Sequence, residues 1–114
     1  MTSGVKRKEG DILGDYRFGH AVSEGRFTRT WEGEQLSMQR LVMIEMLRSK
    51  VIRQPGVVNS FISDVRAKAM VTHPGIGAVY EVFTNDDDTF FSREKLDGDS
   101  LESLYQSGSR FSPL

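Results

Sequence analysis

Residues 40–47 of the chain read RLVMIEML, an apolar run of strand length interrupted by one carboxylate, Glu45. This run predicts a β-strand. Successive side chains of a strand point to opposite faces, so Met43 and Glu45 are expected on the same face. One face of the predicted strand therefore carries a negative charge beside a bulky apolar side chain.

Two extended segments precede this strand. Residues 16–22 and 26–32 are separated by Ser-Glu-Gly at 23–25, a sequence that suits a hairpin turn. The N-terminal residues are polar and lack an apolar period, which predicts a flexible lead-in over residues 1–11. The folded domain is then expected to occupy residues 12–114.

A helix and two more strands follow. Pro55 and Gly56 interrupt the extended pattern, and apolar residues then recur every three or four positions, which predicts a helix with one apolar stripe. The stripe consists of Val58, Phe61, Ile62, Val65 and Ala69. The sequence His-Pro-Gly at 73–75 is expected to end the helix, and strands are predicted at 76–83 and 89–94.

A short C-terminal helix completes the pattern. The Asp99 side chain can cap the first backbone amides of this helix, and Glu102, three residues later, can accept a hydrogen bond from the Asp99 amide in return. Gly108 is expected to end the helix. The predicted fold is α+β, with a five-stranded antiparallel sheet, one main helix and a short C-terminal helix.

Composition excludes several classes of function. The chain has 114 residues and a formal charge of −1, so neither a nucleic-acid nor a membrane partner is indicated. No cysteine is present, which removes disulfides and thiolate chemistry. Neither a signal peptide nor a membrane-spanning run is found, so we expect a cytoplasmic location.

Metal and cofactor sites are not expected either. The acidic turn at 86–88 lacks the glycine and the terminal glutamate of a calcium-binding loop. His20 and His73 have no partner at metal-ligand spacing and are assigned to structural roles.

Several segments have a joint spacing that resembles the small lobe of bacterial serine/threonine protein kinases. They are YRF at 16–18, SEGRFT at 23–28, FISDVRA at 61–67, HPGI at 73–76, FFSREKLDGDSL at 90–101 and SPL at 112–114. The resemblance runs from about Tyr16 to the end of the chain. It implies a kinase small lobe, with the large lobe outside these residues, because the chain is about half of a two-lobed fold.

The resemblance places altered residues at the nucleotide-binding positions. Ser23 and Thr28 stand where the glycine-rich loop has glycines, and only Gly25 is retained. Glu45 stands at the position of the lysine that grips the ATP phosphates, and Asp64 at that of its partner glutamate on the helix. The two acids would repel each other across the cleft, unless one of them protonates or a cation intervenes. The alternative is that the helix swings out and both groups remain in water.

The same resemblance implies a filled adenine site. Met43 takes the place of an alanine, and Arg93, followed by Glu94, lies at the gatekeeper position on the fifth strand. Two arrangements of Arg93 are open: it pairs with Glu45 and replaces the nucleotide by an internal ion pair, or both side chains reach solvent separately.

These departures lead to the expectation of a noncatalytic, pseudokinase-like module that is not an enzyme and acts in protein–protein interaction, scaffolding or regulation. The resemblance implies partner contacts around the helix, at Val58, Phe61, Ile62 and Val65, with a protein partner or a second copy of the chain. The alternative is a domain of a larger kinase-like protein that senses a nucleotide or another ligand without catalysis. A third possibility is an active enzyme assembled with a separate large lobe, in which Arg26, Arg29 or Lys68 replaces the lysine charge.

Overall fold

The fold is a six-stranded antiparallel sheet with one helix, seen in a computed structural model that describes residues 7–69 and 78–95. The elements are β1 Ile12–Leu13, β2 Tyr16–Glu24, β3 Thr28–Gln35, β4 Arg40–Leu47, α1 Val57–Ala69, β5 Val79–Thr84 and β6 Thr89–Glu94. The strand order is β1-β2-β3-β4-β6-β5. The predicted α+β class with one main helix is confirmed.

The structure differs from the predicted elements in several details. It has a sixth strand, β1, whose two residues are too few to show a period in sequence. The strand predicted at 26–32 lies at Thr28–Gln35, and the one predicted at 76–83 lies at Val79–Thr84. The C-terminal helix beginning at Asp99 and the helix stop at 73–75 fall outside the described residues.

Strand β4 is covered on both faces. Val42, Ile44 and Met46 face the main core, together with Phe18, Trp31 and Phe90 from neighbouring strands. On the other face Leu47 packs with Val51 and Ile52, which in turn contact the start of α1. An internal strand buried on both sides reads as a nearly continuous apolar run, which explains the sequence at 40–47.

Strands β2 and β5, which lie near opposite ends of the strand order, approach each other because the sheet is curled around its core. The Tyr16 hydroxyl on β2 donates a hydrogen bond to Glu81 on β5 and lies 2.8 Å from the Ser92 hydroxyl on β6. Burial, aided by Glu81, raises the pKa of Tyr16 to about 12. These hydrogen bonds connect β2 with β5 and β6, which are distant from β2 in the sequence, across one side of the core.

Part of the predicted lead-in contacts the sheet. The Gly10 amide donates to the Phe18 carbonyl at 2.7 Å, and Arg7 Nε lies 3.5 Å from Asp88 Oδ1. Burial raises the pKa of Asp88, and the Arg7 charge opposes that shift. Residues 1–6 lie outside the described part of the chain, and a flexible lead-in remains a prediction for them.

Candidate functional site

The candidate site is the face of β4 that carries Met43 and Glu45. Antiparallel pairing places Met43 opposite Arg93 of β6, and Glu45 opposite Phe91. On the other side of β4, Met43 lies opposite Glu32 of β3. Directly opposite residues of neighbouring strands share a face, so a row of three side chains, Glu32, Met43 and Arg93, crosses the sheet.

Arg93 and Glu45 form an ion pair on this face. Arg93 Nε donates to Glu45 Oε2 at 3.0 Å, and the side chains are 11% and 25% exposed. A second nitrogen of the guanidinium donates to the Glu94 carbonyl oxygen at 3.3 Å. The sequence left two arrangements of Arg93 open, a pair with Glu45 or separate contact with solvent. The structure contains the Arg93–Glu45 pair.

Met43 fills the space beside the pair. It is 0% exposed, and Phe91, its neighbour on this face, is 1% exposed. The Phe91 ring lies 5.8 Å from the Phe61 ring of α1, so the helix covers this end of the face. A ligand could therefore reach the face only by displacing packed side chains or by binding at the partly exposed carboxylate of Glu45.

A second charge cluster lies in the same row. Glu32 accepts contacts from His20 Nε2 at 3.2 Å and from Lys95 Nζ at 3.4 Å. Sequence reasoning gave His20 a structural role and did not single out Glu32 or Lys95. No local spacing links these three residues, because they belong to β2, to β3 and to the end of β6 and meet only through the strand order.

The hairpin between β2 and β3 contains the predicted loop positions Ser23, Gly25 and Thr28. The Gly25 amide donates to the Thr28 carbonyl at 2.8 Å, which closes the turn. The Arg48 guanidinium donates to the Gly25 carbonyl at 3.2 Å and contacts Glu24 at 2.7 Å. The tip of this hairpin is therefore bound to the residue that follows β4.

Other predicted positions do not join the Glu45–Arg93 pair. Asp64 is exposed on α1, and the charge that faces Glu45 is that of Arg93. The Glu94 carboxylate instead accepts from the Ala78 amide at 3.2 Å, at the start of β5. Glu45 therefore faces a cation, while Asp64 is exposed to solvent.

The helix residues predicted to bind a partner have different degrees of burial. Val65 is 2% exposed, and Val58 and Phe61 pack against the cluster formed by Leu47, Val51 and Ile52. Ile62 is half-buried. Their role in partner binding stays a prediction.

Within residues 7–69 and 78–95, no group of histidine and acidic side chains has the arrangement of a metal site. The helix described there is also neither long nor apolar enough to cross a membrane.

The chain resembles serine/threonine kinases in sequence. It is 29% identical over 70 residues to the serine/threonine-protein kinase PknA of Mycobacterium tuberculosis, which covers 61% of this chain. It is 26% identical over 104 residues to a probable serine/threonine-protein kinase of Streptomyces coelicolor, which covers 88% of this chain. In both cases the chain spans 16% of the relative's length. No protein-family model matches the chain.

A solved structure described as "PpkA-294 apo form" matches with a TM-score of 0.69 at 17% identity. The match covers 95% of this chain and 44% of that one. The kinase small-lobe fold expected from the resemblance is therefore confirmed. The expectation that the protein is not an enzyme is contradicted, because the relatives are named as serine/threonine kinases.

Proposed function

We propose that this chain is the small lobe of a kinase-related protein and acts as a regulatory module through protein contacts, with the Glu45–Arg93 pair occupying the position of a nucleotide contact. The observation that carries the proposal is the 3.0 Å contact between Arg93 Nε and Glu45 Oε2, on the face that also carries Met43. A lobe that binds a nucleotide would need an unpaired cation on this face to contact the phosphates. Arg93, the only arginine in the row of Glu32, Met43 and Arg93, is paired with Glu45 instead.

Electrostatics and packing support this assignment. A carboxylate at Glu45 repels phosphate, and separating it from Arg93 would leave two partly buried charges unpaired. Met43 would also have to leave a site in which it is fully buried. Nucleotide binding in this place would therefore have to overcome two costs that the resembling kinases do not have.

Exposed apolar side chains support a role in protein contacts. Phe27 at the hairpin tip is 50% exposed, and Met38 and Leu41 at the start of β4 are 58% and 62% exposed. Exposed apolar side chains that lie together often mark a protein contact site, and Met38 and Leu41 are three positions apart at the β3–β4 turn. We propose that the partner is another protein or a second copy of this chain, and that the half-buried Ile62 on α1 contributes to such a contact.

The nucleotide part of the proposal is tested by the thermal midpoint of the purified chain during titration with ATP, with and without Mg²⁺. We expect no change in the midpoint up to millimolar ATP. The Met43→Ala/Glu45→Lys variant restores the residue types that the resemblance implies, and it serves as the comparison. A saturable rise of several degrees in the unaltered chain would contradict the proposal and favour nucleotide sensing.

Light scattering on the same samples tests self-association. A mass that rises above the monomer with protein concentration would identify a second copy as the partner. A monomer mass at every concentration would exclude that partner and leave a different protein.

A further inference from the structure

A cleft of about 200 Å³ lies at the end of the sheet, away from the Glu45–Arg93 pair. It opens where the β2–β3 hairpin, the end of β4 and the β5–β6 turn meet. Trp31, Met46 and Leu47 line it with apolar surface, and each of them is less than 7% exposed. Its volume is below that of a typical drug-sized pocket and suits a small ligand with a ring or a short aliphatic body.

Basic side chains form one wall of this cleft. Arg29 and Arg48 hold the Glu24 carboxylate between them, at 2.9 Å and 2.7 Å. The Arg29 guanidinium also lies 5.5 Å from the centre of the Trp31 ring. This wall thus already holds one carboxylate, that of Glu24, whose side chain is 39% exposed.

The charge of the lining residues is positive. Four cations (Arg7, Arg29, Arg48, Lys50) face three acids (Glu24, Asp87, Asp88), which leaves one positive charge. Lys50 is exposed at the rim and forms no ion pair with the described residues. A monoanion would balance this excess.

Two buried donors point to the same kind of ligand. Trp31 Nε1 and Arg7 Nε are buried without a hydrogen-bond acceptor among the described residues, and both side chains line this cleft. Arg7 Nε approaches Asp88 Oδ1 at 3.5 Å, which is an ion-pair contact without hydrogen-bond geometry. Buried polar atoms are nearly always paired in folded proteins, so two unpaired donors in one lining are available to an acceptor group of a ligand.

We propose that this cleft binds a small monocarboxylate with an apolar body. Its carboxylate would accept from the basic wall and from Lys50 at the rim, in competition with Glu24, while its apolar part would contact Met46 and Leu47. The lining of the cleft does not include Met43, Glu45 or Arg93, so the inference does not depend on the proposed function.

Benzoate is a suitable probe, and Trp31 is a built-in reporter because it is the only tryptophan in the chain. The measurement follows the Trp31 indole N–H resonance in ¹⁵N-labelled protein during titration with benzoate, with inorganic phosphate in a parallel titration. We expect a saturable shift with benzoate and a much weaker response to phosphate, because phosphate has no apolar body.

Three variants sharpen this test. Lys50→Gln should weaken benzoate binding roughly tenfold, since a charge-assisted contact is lost. Lys68→Gln, which removes an exposed lysine of α1 away from the cleft, should leave the binding unchanged. Glu24→Gln should strengthen binding several-fold, because it removes the competing internal carboxylate.

Three results would overturn the proposal. They are an indole resonance that does not respond to benzoate at tens of millimolar, an equal loss of binding in Lys50→Gln and Lys68→Gln, and a response to phosphate as strong as that to benzoate.

Discussion

Glu45 and Arg93 neutralise each other across neighbouring strands, and this changes what their face of the sheet can bind. Because Arg93 Nε lies 3.0 Å from Glu45 Oε2, each charge is largely compensated by the other. Met43 sits opposite Arg93 and is fully buried, so its side chain occupies the space beside the pair. At the level of single residues, this charge pairing and this occupied volume are the two features on which the proposed lack of nucleotide binding rests.

A second residue-level feature is the Tyr16 hydroxyl, which is buried and bonded to Glu81 and Ser92. Burial raises its pKa from 10.0 to about 12, so the folded chain keeps this proton at a pH where the unfolded chain loses it. Between about pH 10 and pH 12 the folded state binds more protons, and stability must fall as the pH rises.

We expect Tyr16 to contribute on the order of 2 kcal/mol of stability below pH 10 that is lost by about pH 12. The measurement is the free energy of unfolding in urea as a function of pH. Tyr16→Phe serves as the control: it is less stable at neutral pH, but its stability should fall less steeply above pH 10. Parallel pH profiles for both proteins would show that the Tyr16 proton has no such linkage.

At the level of elements, the close packing of β3 against β2 and β4 depends on a glycine that the sequence did not mark as important. Gly33 of β3 is buried, and a Cβ there would lie 2.8 Å from the Arg17 carbonyl oxygen and 2.8 Å from Ile44 Cδ1. Gly25, which the resemblance marks as important, has only the Thr28 carbonyl oxygen at 3.7 Å from such a Cβ. Packing in this fold therefore demands glycine at Gly33 and not at Gly25.

The two glycines make a matched pair of alanine substitutions. Gly33→Ala should destabilise the fold by about 1–3 kcal/mol, because backbone or core atoms must move to accept the methyl group. Gly25→Ala should change the free energy of unfolding by less than about 0.5 kcal/mol. Both values can be measured by urea unfolding at neutral pH, and equal effects of the two substitutions would contradict this account of the sheet.

At the scale of the whole molecule, the sequence predicted the fold class because its main elements have clear periods. The apolar run at 40–47 and the stripe from Val58 to Ala69 indicated a strand and a helix that the structure contains. The two-residue strand β1 was missed because two residues carry no period. The Glu45–Arg93 neighbourhood could be predicted because the resemblance supplied the order of strands.

Contacts that depend on how the strands pair and on the curvature of the sheet could not be predicted from the periods in the sequence. The cluster of His20, Glu32 and Lys95 joins β2, β3 and the residue after β6, and the Tyr16–Glu81 hydrogen bond joins β2 to β5. Neither has a sequence signature, since their spacing along the chain is arbitrary until the strands are paired. The cleft beside Trp31 was missed for the same reason.

The proposed replacement of a ligand contact by an internal ion pair requires that the Glu45–Arg93 pair stabilise the fold of the whole molecule. The measurement that tests this claim most directly is a double-mutant cycle with Glu45→Gln, Arg93→Gln and the combination, followed by urea unfolding. We predict a coupling energy on the order of 1–2 kcal/mol, since the pair is largely shielded from water.

The exposed pair of Arg17 and Glu34, 3.1 Å apart with side chains 51% and 37% exposed, provides the matched control cycle. Its coupling should not exceed about 0.5 kcal/mol, because water screens it. A coupling for Glu45 and Arg93 that clearly exceeds this control would support the internal pair as a structural substitute for a ligand contact. A coupling indistinguishable from zero would contradict the central claim.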